Sequence, residues 1–146
     1  MPKQLVVVPL GGWIVSMILG CTALPVARTN AMLDPCPNSP NCVCSLDSRS
    51  KHFIAPLVYE GPLYQARDRL VAIISSIKRA TVPQVEDRYV FVSVRSRFLG
   101  FVDDLSFCFD PEHHLIHMRS AARTGYYDFG VNRKRLEQIR AVWEGR

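Results

Sequence analysis

The sequence predicts an α+β domain, a curved antiparallel sheet of four to five strands with two helices packed on one face. Three observations lead there. Two segments, 61–80 and 131–143, carry apolar residues at helical spacing. Three β-prone runs between residues 88 and 123 are separated only by short turns, the pattern of an antiparallel meander. The resulting order of strand, helix, strands and helix lets both helices cover one face of the sheet.

Taken in order, "HFIAPLVYE" (52–60) is β-prone but broken by Pro56, which marks a short or edge strand. In "GPLYQARDRLVAIISSIKRA" (61–80) Pro62 suits the first helical turn, and Ala66, Leu70, Ile73, Ile74 and Ile77 form one stripe. "TVPQVEDR" (81–88) can add one short strand. "RYVFVSVRSR" (88–97) alternates Tyr89, Phe91 and Ser93 with Val90, Val92 and Val94. After a turn near Leu99-Gly100 comes "FVDDLSFCFD" (101–110), in which Phe101, Leu105, Phe107 and Phe109 share a face. "DPEHH" is a turn, and "LIHMRSAAR" (115–123) is the third run. Leu136, Ile139, Val142 and Trp143 set the helical spacing of "VNRKRLEQIRAVW" (131–143).

The chain begins with a different kind of segment. Lys3 precedes an uncharged run from Gln4 to Gly20, the form of a signal peptide rather than of a folded element. Pro9, Gly11 and Gly12 weaken it as a membrane-spanning helix, which needs about 20 apolar residues. Ile18-Leu19-Gly20-Cys21 resembles the lipobox of bacterial lipoproteins, in which the cysteine is lipidated and cleavage falls just before it. The expected organisation is a signal peptide at 1–20, a tether at 21–32 starting with lipidated Cys21, and one domain at 33–146. Removing 20 of 146 residues leaves 126, enough for one core but not two. Loss of Lys3 lowers the formal charge from +5 to +4, an excess compatible with anionic headgroups or envelope polymers. The expected location is the cell envelope, facing the periplasm or exterior, with the membrane as partner through the lipid.

With Cys21 assigned to lipid, Cys36, Cys42, Cys44 and Cys108 remain, an even number suited to an oxidising compartment. "PNSPN" between Cys36 and Cys42 favours a turn that joins those two, and by elimination Cys44 would join Cys108. The C-x5-C-x-C spacing is not a familiar zinc pattern, so no metal and no cofactor is expected.

Three motifs, "LDPCPNSPNCVCS", "GFVDD" and "RSAARTGYYDFGVNRKRLEQIR", resemble the DUF1499 family, a domain of unknown function, over about Leu33 to Arg140. Cys36, Pro37, Ser39, Pro40, Asn41 and Cys42 fall in the first motif, and Asp103 and Asp104 in the second. Arg119, Ser120, Arg123, Gly125, Asp128, Gly130, Asn132, Arg133 and Arg135 fall in the third. Cys44 stands where the resemblance implies a serine. The resemblance implies no particular activity, substrate or cofactor.

The charged residues leave two readings open. If Phe109 and Leu115 are opposite each other, Asp103 faces Ala121 and lies diagonal to Arg119 and Arg123, while Asp104 faces Ser120 on the other side. Asp103, Asp104, Arg119, Arg123, Asp128, Arg133 and Arg135 then form either a structural charge network or an anion-binding surface. If Asn132 caps the last helix, Arg133, Lys134 and Arg135 crowd its first turn and call for a bound anion; if Asp128 caps it, that strain eases. Tyr126, Tyr127 and Phe129 are expected to anchor the bend against the sheet edge. Asp103 and Asp104 are adjacent in a strand and cannot act as paired carboxylates across one bond. A hydrolase-like enzyme using Asp or His residues such as His113, His114 and His117 is the alternative function, without a recognisable catalytic motif. The mixture of basic residues with carboxylates argues against nucleic acid.

Overall fold

A computed structural model describes residues 33–97 and 99–146. The expected signal peptide, Cys21 and the tether therefore lie outside the described residues. The elements are β1 (Cys42–Cys44), β2 (Leu57–Val58), α1 (Leu63–Ser75), β3 (Gln84–Val85), β4 (Tyr89–Arg95), β5 (Val102–Asp110), β6 (Leu115–Ala122) and α2 (Val131–Trp143). The strands form one open sheet in the order β1-β6-β5-β4-β3, and β2 also pairs with β6. Every pairing in it is antiparallel. β1 pairs with Arg119–Ala121 and β2 with Leu115–Ile116, so two short segments follow one another along the same edge of β6.

Alternation in the central strands explains the layering. Val90, Val92, Val94, Leu105, Phe107, Phe109, Ile116 and Met118 point to one face, where they meet Leu70 and Ile74 of α1 and Leu136, Ile139 and Trp143 of α2. Phe107 and Phe109 are fully enclosed, and each such side chain contributes about 1.5–3 kcal/mol relative to exposure. Trp143 is held by its indole N–H, which donates to the Val58 carbonyl at 2.9 Å, and by the Arg69 guanidinium 4.5 Å above its ring.

Among the described residues six strands form rather than four or five, because the cysteine motif, expected as a turn, straightens at Cys42–Cys44 and pairs. α1 stops at Ser75, short of the expected Ala80. The Ser76 hydroxyl donates to the Ile73 carbonyl at 2.6 Å, and Arg79 takes a left-handed φ of 64°, which a continuing helix excludes. Phe101 lies outside β5 and is exposed, while Asp103 joins Leu105, Phe107 and Phe109 on the inward face. The opposite face is covered near β1 by a second, smaller cluster of Leu33, Cys36, Cys42, Cys44 and Ala121. No helix of the described residues is long and apolar enough to cross a membrane.

Candidate functional site

The register of β5 and β6 decides where the charges go. Asp110 pairs with Leu115, so Asp103 faces Ala122 and Asp104 faces Ala121, one residue away from the expected register. The cause is the four-residue loop 111–114: Asp110 Oδ1 accepts the Glu112 and His113 N–H groups at 3.0 and 3.2 Å, and His114 adopts φ 54°. The one-residue slip brings Arg119 and Arg123 onto the face of Asp104 instead of that of Asp103. Asp103, inward by its alternation with Leu105, Phe107 and Phe109, meets Arg135, whose Nη2 donates to Oδ2 at 2.7 Å in a nearly buried pair. Asp104 stays on the outward face, where Arg123 donates Nε and Nη2 to its two oxygens at 2.7 and 2.8 Å. Ser93 Oγ, opposite, donates to Asp104 at 2.6 Å and accepts from Arg123 at 2.9 Å. That carboxylate raises the Arg123 pKa, chiefly through the hydrogen bonds.

At the start of α2 the capping role belongs to Asp128. Its Oδ1 accepts the Gly130 N–H at 2.9 Å, and its Oδ2 accepts the Asn132 backbone and side-chain N–H groups at 3.0 and 2.8 Å. Gly130 takes the left-handed φ of 74° that this bend requires. Asn132 is fully buried. Its Oδ1 accepts from Ser120 Oγ at 2.5 Å and from Arg135 Nη1 at 3.2 Å, and its Nδ2 also donates to the Asn41 carbonyl at 3.2 Å. The Asn41 amide donates to the Gly125 carbonyl and its Oδ1 accepts from Ser39 at 2.8 Å. One network thus ties Ser39 and Asn41 of the first motif and the inward carboxylate of the second to Ser120, Gly125, Asp128, Asn132 and Arg135 of the third. Of the two caps considered, the Asp128 one is present, and its carboxylate supplies the negative charge at the helix start.

The remaining motif residues behave differently. Arg133 donates to the Lys51 carbonyl at 2.9 Å. Arg119 faces Cys44 on one side and Ser106 on the other, and its buried Nε has no hydrogen-bond partner among the described residues. Tyr126, Tyr127 and Phe129 are 73%, 58% and 85% exposed, so they do not anchor the bend; Tyr127 and Phe129 pack edge-to-face on each other, 5.0 Å apart.

Cys36 and Cys42 form a disulfide with Cα atoms 5.6 Å apart. Cys44 and Cys108 are free thiols, contrary to the expected second bridge. They contact β6 from opposite sides, Cys44 at Arg119 and Cys108 at His117, so a whole strand separates them. Two strand spacings are about 9–10 Å, beyond the roughly 7 Å between Cα atoms that a disulfide spans. Burial raises the pKa of both thiols.

Beside the disulfide is a corner not singled out from the sequence. Asp47 is buried, and its carboxylate accepts from Arg49 Nε at 2.9 Å, Arg49 Nη2 at 2.5 Å and the Cys36 N–H at 3.3 Å. Arg49 hydrogen bonds, ahead of the opposing effect of desolvation, hold that carboxylate far below the usual range. The D-x-R spacing was the only local signal.

Of the several concavities that the described residues line, two gather groups with chemistry of their own. A cleft of about 450 Å3 lies between the end of α1, the end of β4 and the start of α2. Ile73, Ile77, Val94, Ile139 and Val142 supply apolar walls, Lys78, Arg79, Arg95, Arg97 and Arg135 the charge, and no carboxylate lines it among the described residues. A second, about 330 Å3, brings together Tyr89, Cys108, Asp110 and His117. Here His117 Nε2 is 4.0 Å from Asp110 Oδ2, and Nδ1 is 3.3 Å from Ser45 Oγ, which accepts the Met118 N–H. Burial lowers the His117 pKa, and Asp110 is already engaged by His113 at 2.8 Å. His114 packs against Tyr59 instead, with the rings tilted by 51° and 5.1 Å apart.

A family model described as "Protein of unknown function (DUF1499)" matches residues 32–142. Neither a curated protein nor a solved structure matches the chain.

Proposed function

Given that the chain belongs to the DUF1499 family, whose description assigns no activity, we propose that it is a non-catalytic module of the cell envelope, lipid-anchored through Cys21, whose basic cleft takes up an anionic group. The observation that carries the binding half is the charge imbalance of the cleft. Arg135 is matched by Asp103, but Lys78, Arg79 and Arg95 make no ion pair among the described residues. Arg79 and Arg95 donate to the carbonyls of Arg95 and Gly100, which orients them without neutralising them. Fixed guanidinium groups over apolar walls suit an anion attached to an apolar body, such as a lipid headgroup or an acidic polymer. The address is supported by the lipobox-like end of the leader and by a disulfide suited to an oxidising compartment.

A hydrolase-like reading would have to use Asp110 and His117. Their 4.0 Å separation and the raised pKa of the adjacent Cys108 thiol give it little support.

The test is thermal unfolding of the full chain in detergent against phosphate, sulfate, glycerophosphate headgroup analogues and an acidic oligosaccharide, after intact mass has checked for lipid on Cys21. Saturation at about 100 times Kd adds roughly 2.7 kcal/mol, a shift of several degrees. A Lys78→Gln/Arg79→Gln/Arg95→Gln variant should lose the shift. No shift with any of these anions, or an equal shift in the variant, would overturn the binding reading.

A further inference from the structure

The buried corner beside the disulfide holds more chemistry than a cross-link requires. Cys36 Sγ, an Asp47 carboxylate oxygen and a His52 ring nitrogen all lie within 4.8 Å of one another, and all three residues are buried. Cys42 Sγ is bonded to Cys36 Sγ, which places a fourth donor beside these three. The donors recur along the chain as C-x5-C-x4-D-x4-H. We propose that, once the Cys36–Cys42 disulfide is reduced, Cys36, Cys42, Asp47 and His52 form a closed four-ligand site for a thiophilic divalent cation such as zinc.

Geometry favours this in three ways. In a tetrahedral zinc site with bonds of about 2.0–2.3 Å, neighbouring ligand atoms stand roughly 3.3–3.8 Å apart, so Cys36, Asp47 and His52 need to close by only about 1 Å while the freed Cys42 sulfur moves away from that of Cys36. His52 Nδ1 lies 3.0 Å from the Cys42 carbonyl, which can only accept, so Nδ1 carries the proton and Nε2 is left as the ligand atom. The Asp47 carboxylate is aimed by Arg49, the kind of outer hydrogen bond that orients ligand carboxylates.

The loop that carries Cys36 is held without the disulfide. Arg49 Nη2 donates to the Cys36 carbonyl at 2.6 Å and Nη1 to Asn38 Oδ1 at 2.9 Å, while the Cys36 N–H donates to Asp47. Opening the disulfide therefore leaves the two thiols beside Asp47 and His52. A dithiol delivers two electrons and two protons to the sulfurs and closes to its own disulfide. The cation then displaces both thiol protons to solvent. Its two positive charges match two thiolates, and Arg49 continues to match Asp47, so the buried corner is neutral with the disulfide closed and with the ion bound.

The test reduces the full chain with a water-soluble phosphine, which takes up an oxygen from water as the disulfide becomes two thiols. Zinc retained after gel filtration is then counted. One zinc per reduced chain and none per oxidised chain is expected, together with a higher Tm for the reduced chain in zinc. Cobalt(II) in place of zinc should give the visible bands of a tetrahedral site and an ultraviolet thiolate-to-cobalt band. Asp47→Asn and His52→Gln should weaken or shift both, and Cys44→Ser should leave them intact. A reduced chain that keeps its circular dichroism yet takes up no zinc would overturn the proposal. So would cobalt spectra unchanged in Asp47→Asn and His52→Gln, or spectra lost in Cys44→Ser.

Discussion

The two adjacent aspartates show how one residue's direction sets its energetic role. Asp103 and Arg135 are nearly buried, and removing one partner strands a charge that has left water. Asp104 and Arg123 meet at the surface, where Arg123 is half exposed and solvent screens the pair. In urea unfolding, Asp103→Ala should cost about 3–5 kcal/mol, while Asp104→Ala should cost less than about 1 kcal/mol. Equal costs would contradict the assigned faces. That two carboxylates needed two arginine partners was legible in the motifs; which arginine served which was not. Asn132 was named from its motif, but nothing in its identity announces that it is a fully enclosed hub joining Ser120, Asn41, Asp128 and Arg135.

At the scale of elements, the three long strands and both helices were legible because each has a sustained period, 2 or 3.6. The register was not, because "DPEHH" fits a loop of several lengths and only the positive φ of His114 and the Asp110 hydrogen bonds select four residues. Nor could β1 be read, since three residues carry too little pattern. The loop that sets the register also titrates. The hydrogen bond from His113 to Asp110 raises the histidine pKa above its ordinary 6.5 and lowers the aspartate below 3.8. The His113 contribution is thus complete below 6.5 and disappears as pH rises through the higher folded value. The Asp110 contribution is complete above 3.8 and disappears as pH falls through the lower one. His117 acts in the opposite sense: burial lowers its pKa, so stability falls as pH drops below 6.5. As pH falls through 6.5 the two histidines act in opposite senses and offset each other. His113→Gln should make urea stability decline as pH falls through 6.5, where the parent changes less. A variant that tracks the parent would show that the His113–Asp110 contact has no weight.

For the molecule as a whole, β5 and β6 share the longest pairing and lie between β4 on one side and β1 and β2 on the other, under both helices. Opening them requires global unfolding, whereas β3 pairs through two residues only. Native-state hydrogen exchange should therefore find its slowest amides at Leu105–Phe109 and Ile116–Ser120, and much faster exchange at Gln84 and Val85. Uniform protection across these strands would contradict that hierarchy. The α+β layout, an antiparallel sheet with two helices, was legible from the element order. The cleft was not, since Lys78, Arg79, Arg95 and Arg135 come from three separate elements and turns.

The two rims of the sheet carry a consequence for life in a crowded compartment. One rim is made of three-residue β1 and two-residue β2, the other of two-residue β3, which follows Pro83. A long, flat rim is a template on which a neighbouring chain can add its own strand and propagate into aggregate. Neither rim here offers more than three consecutive paired residues, and the proline beside β3 cannot donate a hydrogen bond to an incoming strand. Each copy thus offers a neighbouring chain little ladder to extend along these two rims.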